Sequence, residues 1–299
     1  MFRGSFRLFS PLVDQNILDT GDERYKTYIA NTMKRFKLLV IFTGLTLFLN
    51  CSKDNDVEPQ VEQEIDKSAN LLATGESAHD LLANTNFSNL LIEIGYVEGF
   101  RPSTTTMANF EDFLRDRTFK ENITVQYQEL ASPGEETLTL QEIADLETEN
   151  RTAYNEGNTL AIYIYFADAP ADGDDEEQNL VTLGSVYRNT SMVIYESTVR
   201  AIATRSSLIT IADVEEAVLS HEFGHLFGLV NLGSAMVSPH EDATSTNHCD
   251  VTGCLMQAEI EFGGGLMGIL ESRALAGKGQ AVPSLDAACI ADLQANGGR

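Results

Sequence analysis

One stretch limits this chain more than any other: residues 220–230, reading S-H-E-F-G-H-L-F-G-L-V. His221 and His225 are four residues apart, a spacing that on a helix stacks two side chains with Cβ atoms ~5–6 Å apart. Two imidazoles so placed can each give one nitrogen to a single tetrahedral zinc ion. Glu222 then lies beside the metal position without having to ligate it. Thr210 and Asp213 supply a capping-box start, so a helix is expected from about Thr210 to Leu229. Val214, Val218, His221, His225 and Gly228 follow one another at 4-3-4-3 spacing and form a core-facing stripe. Leu219, Phe223, Leu226 and Val230 form a second stripe, so most of the helix should be buried. A buried helix whose histidines only satisfy hydrogen bonds is the plainer alternative. Against it, four of the five histidines in the chain (His221, His225, His240 and His248) fall in one short segment.

The chain ahead of this helix alternates between two periods. Residues 71–83 read as short helices and Leu90 to Val97 as a strand. Thr104 to Phe119 is a helix with Met107, Phe110, Phe113 and Leu114 on one side. Ile123 to Leu130 alternates as a strand, Leu138 to Tyr154 is a helix, and Thr159 to Ala167 is apolar enough for a sheet centre. Leu180 to Tyr187 and Ser191 to Tyr195 read as a hairpin at the sheet edge. This order predicts an α/β layer with a mixed, mostly parallel sheet and packed helices. After Gly228 a smaller, irregular and helical C-terminal subdomain is expected. There Glu261 to Gly265 forms a break, followed by helices at 266–276 and 286–295. The acidic loop 168–177 offers carboxylates for calcium but lacks the spacing of an EF-hand, so it reads as a solvated loop.

The first 32 residues show no structural pattern and read as an upstream extension. Met33 opens M-K-R-F-K, followed by an apolar run from Leu38 to Leu49 and then Cys51. Residues 33–51 thus read as a secretory signal, too short for a membrane span. The segment resembles a bacterial lipoprotein signal, which implies acylation at Cys51 and a cell-surface or outer-membrane location. Residues 52–87 are expected as a polar tether and short helical lead-in, and 88–299 as the catalytic domain. A formal net charge of −25 disfavours nucleic acid and bare anionic lipid as partners.

A catalytic zinc takes three protein ligands and an open position. H-E-x-x-H followed by Gly228 resembles the metzincin family of zinc peptidases. Its third histidine falls where this chain has Asn231, a poor zinc donor beside imidazole. Further on, residues 248–256 read H-C-D-V-T-G-C-L-M, similar to the archaemetzincin segment H-C-x4-C-x-M. The resemblance implies His248 as third ligand, with His240 the competitor, and Met256 in a tight turn beneath the metal. It implies one catalytic zinc, a peptide substrate paired in extended form along the edge strand near 180–195, and a monomer. Glu222 would be the general base for hydrolysis through a zinc-activated water. The family's second, four-cysteine zinc has too few cysteines here. Cys249 and Cys254 are therefore expected as a disulfide bracing the turn, with Cys254–Cys289 the alternative pairing. The rival functional reading is an exported lipoprotein that binds zinc or a partner without turnover.

Overall fold

Two strands that lack a polar face lie side by side at the centre of the molecule, and everything else is arranged on them. The structure, a computed structural model, describes residues 65–175, 181–277 and 281–299. The signal, Cys51 and most of the tether lie outside the described residues. In chain order the regular elements are α1 (Ala78–Leu82), β1 (Asn89–Val97), α2 (Thr104–Arg117), β2 (Asn122–Leu130), α3 (Leu140–Asn150), β3 (Thr159–Phe166), β4 (Gly184–Arg188), β5 (Ser191–Ile194), α4 (Glu196–Ala203), α5 (Ile211–Leu226), α6 (Gly263–Leu275) and α7 (Ala287–Ala295). The fold is α/β, with a mixed, mostly parallel five-stranded sheet in the order β2-β1-β3-β5-β4. β1 runs parallel to both β2 and β3, β3 runs parallel to β5, and only β4 is antiparallel. Parallel neighbours need crossover connections, which α2 and α3 provide. Among the described residues no helix is long and apolar enough to cross a membrane.

β3 reads T-L-A-I-Y-I-Y-F without alternation because both its faces are covered. Leu160, Ile162, Ile164 and Phe166 join the larger core with Phe110, Leu114, Val214, Val218 and Phe223. On the other face Tyr163 and Tyr165 pack with Val97, Leu138, Ile143 and Tyr195. Each large apolar side chain so buried contributes ~1.5–3 kcal/mol relative to exposure. Residues 65–87 are stitched to this sheet. The Asn70 amide donates to the Ala161 carbonyl at 3.1 Å and to Asn155 at 2.9 Å.

The helix bearing the two histidines begins with a full capping box: the Thr210 hydroxyl accepts from Asp213 N, and the Asp213 carboxylate accepts from Thr210 N. From Ala217 to Leu226 every residue is buried, as the two stripes require. It stops at Leu226, earlier than its apolar pattern suggests, because Gly228 (φ +72°), Val230 and Asn231 take left-handed backbone. Two other differences stand out. α4 follows β5 with no polar linker, so no turn signal announced it. The glycines expected as a break instead form the first turn of α6.

α4 and α5 meet through two buried carboxyl groups. Glu196 Oε1 accepts from Arg200 Nε at 2.5 Å, while Glu215 Oε2 accepts from Ser103 N and from the Thr106 hydroxyl. The remaining oxygens, Glu196 Oε2 and Glu215 Oε1, have no conventional donor. A proton shared between the two side chains satisfies both. Burial first, then the Glu215 charge, push Glu196 up to about 9, so that proton stays in place at neutral pH.

Candidate metal centre

The last two turns of α5 bring His221 and His225 to the floor of a cleft beneath the antiparallel edge strand β4. His248 arrives from the loop beyond, its ring centroid 5.4 Å from that of His221 and 5.1 Å from that of His225. Glu261 completes the group: one donor atom from each of these four residues lies within 4.8 Å of all the others. His221 Nδ1 donates to the Leu255 carbonyl at 2.7 Å, and His248 Nδ1 to the Thr246 carbonyl at 3.0 Å. Those bonds place a proton on each Nδ1 and turn each Nε2 towards the group. His221 Nε2 and His225 Nε2 are 3.2 Å apart. Two nitrogens ~2.0–2.1 Å from one tetrahedral ion would be separated by ~3.3 Å. Burial depresses His221 to about 4 and His225 well below its ordinary value, so both rings are neutral and able to ligate.

Glu222 is buried beside this group and faces β4. It accepts a hydrogen bond from the Val186 backbone, while its Oε1 has no donor. Burial, followed by the Glu261 charge, raises it well above the ordinary carboxylate range; a bound cation would act in the opposite direction. Gly184 makes the approach feasible, since a Cβ there would come within 2.7 Å of Glu222 Cγ. A cavity of about 290 Å³ opens onto Glu222, His225, His248 and Glu261, with Ser185 and Val186 on its wall. A second hollow, lined by Leu138, Leu140, Thr182 and Tyr195, shares Ser185 with it.

Met256 lies fully buried under the helix. Its sulfur would be 2.3 Å from any Cβ added at Gly224, which explains a glycine in the middle of the H-E-F-G-H turn. Asn231 is exposed at φ +70°, a conformation that asparagine tolerates, and it is not among the grouped donors. His240 is also placed apart from the three histidines. Its Nδ1 donates to the Ser238 carbonyl, and its Nε2 lies 3.6 Å from Cys289 Sγ and 3.5 Å from Asp292 Oδ2.

That second location differs from the disulfide expected from the sequence. Cys249, Cys254 and Cys289 are all free and buried, and with Asp286 they form a second group able to hold a metal. Cys254 Sγ and Cys289 Sγ are 3.7 Å apart, far beyond a disulfide's ~2.05 Å. Sulfurs bound to one tetrahedral zinc at ~2.3 Å would be ~3.8 Å apart. The Cys249 and Cys289 thiols hold the Cys254 sulfur down towards the thiolate. The 249–256 loop is closed by backbone instead, Cys249 N donating to the Met256 carbonyl at 2.7 Å. Sequence reasoning missed both Glu261 and this convergence. An odd cysteine count was the one hint of the second, and nothing marked the first. The acidic loop expected to be merely solvated contributes to neither group among the described residues.

Neither a family model nor a curated protein matches the chain. Among solved structures, archaemetzincin from Methanopyrus kandleri aligns at 17% identity with a TM-score of 0.41, covering 70% of this chain and 96% of that one.

Proposed function

We propose that the protein is a zinc-dependent metalloendopeptidase whose ion is held by His221, His225 and His248. The observation that carries this reading is three imidazoles converging beside one buried, underpaired carboxylate at the mouth of a cavity. When bound, zinc supplies a Lewis acid that polarises the scissile carbonyl and acidifies a water. Glu222 takes the proton from the attacking water and returns it to the departing amine. Its tether to Val186 keeps that carboxylate against the strand along which an extended peptide would pair. The Leu255 and Thr246 carbonyls hold the rings of His221 and His248 with Nε2 inward. Met256 supports the floor from below. Cys249, Cys254 and Cys289 would hold a second, structural ion, with His240 or Asp286 as fourth donor. The N-terminal sequence adds export and acylation at Cys51, with the enzyme facing outward from a membrane surface.

A second reading, metal binding without turnover, is favoured by one observation: Glu261 gives the histidine group a fourth donor. Glu222→Gln separates the two readings. It keeps size and hydrogen bonding but cannot accept the proton. Zinc content should be unchanged while hydrolysis of a peptide library falls about 10²–10⁴-fold. A parent protein that binds zinc yet cleaves nothing, or a variant that cleaves as fast as the parent, overturns the peptidase reading.

A further inference from the structure

The unexplained contact at the histidine group is that between His248 and Glu261. His248 Nε2 and Glu261 Oε2 are 3.0 Å apart, yet that nitrogen makes no hydrogen bond. Its Nδ1 is engaged with the Thr246 carbonyl at 3.0 Å. An imidazole nitrogen and a carboxylate oxygen at this range share a cation, a proton or a metal ion bound by both. The separation is close to the ~3.3 Å expected for neighbouring donors on one tetrahedral ion. With one donor atom each from His221, His225, His248 and Glu261 within 4.8 Å of one another, Glu261 is placed where a fourth donor would lie.

The backbone around Glu261 is engaged as well. The Glu261 carbonyl accepts from Leu183 N at 3.0 Å, and Phe262 pairs antiparallel with Thr182, immediately ahead of β4. This segment therefore occupies the start of the edge to which a peptide would add.

We propose that Glu261 is a displaceable fourth metal ligand, and that the 261–262 segment keeps the cleft closed at rest by filling both the ion's open position and the start of the β4 edge. The inference rests on reading the histidine group as a catalytic metal site. A closed four-donor shell is the mark of a structural zinc, and a catalytic one needs an open position. Glu261 reconciles the two, because a carboxylate on a loop can leave where an imidazole on a helix cannot. An incoming extended peptide would compete for the Leu183 backbone N–H, and by displacing the segment it would withdraw the carboxylate from the ion. Resting protein should be slow with short substrates, which reach the ion without displacing the segment.

The test uses the full chain loaded with cobalt(II) and acetohydroxamate as a probe of the open position. The d–d bands of the histidine group report the probe. The sulfur-to-cobalt band of the cysteine group reports that the fold is intact. Glu261→Gln and Glu261→Ala should keep cobalt at both groups while the half-saturating acetohydroxamate concentration falls about tenfold or more. Cleavage of short peptides should rise in the same variants. Half-saturation within about twofold of the parent in both variants overturns the inference. If cobalt binds and cleavage depends on Glu222 while the Glu261 variants change nothing, the peptidase reading stands alone. If the histidine group of the parent takes up no cobalt, both fall.

Discussion

The two donor groups lie on either side of one short loop and differ in what surrounds them. Around the histidines are a cavity, a carboxylate with an unfilled oxygen, and a sheet edge. Around the cysteines there is core: all three sulfurs are buried, and α7 is capped by Asp286, whose Oδ1 accepts from Cys289 N. Borderline imidazole nitrogens beside open space suit chemistry, whereas soft thiolates in a packed interior suit bracing. Ligand identity alone does not separate a reactive centre from a staple; the space left beside the ion does.

The largest expected effect would break this contrast if it failed. His248→Ala should remove metal from the histidine group and lower peptide cleavage at least about 10³-fold, while the guanidinium midpoint moves little. Cys254→Ser should do the opposite, lowering stability by upwards of about 3 kcal/mol, because binding energy at a structural ion is folding energy. Metal content, midpoint and cleavage measured on both variants suffice. Equal loss of stability in the two would erase the distinction. His240→Ala and Asp286→Ala sharpen it: the one that supplies the fourth donor should weaken metal at the cysteine group, while the histidine group keeps its own.

A smaller effect comes from a region that holds no metal. Glu196 is raised in the folded state from 4.5 to about 9. Its contribution is therefore intact below about pH 4.5 and is lost as pH rises towards 9. In that window stability should fall by at most about 1.4 kcal/mol per pH unit. Glu196→Gln should flatten the slope in denaturant melts taken across that range. A slope unaltered in the variant would assign the pH dependence elsewhere. The smallest effect is at Asn231, where Ala in left-handed backbone should cost about 1 kcal/mol and leave metal content untouched. Loss of zinc in Asn231→Ala would return that side chain to the site.

Much of this arrangement was legible in the sequence because it is local. The stripes along 214–230, the Thr210–Asp213 cap and the unbroken apolar run of β3 each follow from spacing within one element. His248 was reachable only through its neighbours Cys249, Cys254 and Met256, since Asn231 holds the position where a third ligand would follow by spacing. Glu261 and the meeting of His240 with Cys289 could not be read, because each depends on contacts across tens of residues. The three cysteines show why a count is not a connectivity: a disulfide and a metal-binding group draw on the same residues, and the 3.7 Å between the Cys254 and Cys289 sulfurs exceeds a disulfide bond.

The loop between the two groups has a thermodynamic consequence. Glu241 pairs antiparallel with Cys249, Asp242 N bonds the His248 carbonyl, and Asp250 N bonds the His240 carbonyl. His240 and His248 thus lie on facing strands of one miniature ladder and reach towards different groups. His248 is joined to Cys249 by a single peptide bond, and Leu255, whose carbonyl orients His221, follows Cys254 directly. Ions at the two groups would share this backbone, and any coupling between them would be reciprocal, each changing the other's affinity by the same factor. A chelator titration that reads the two groups separately tests for such coupling: coupled groups empty together, independent ones in separate steps.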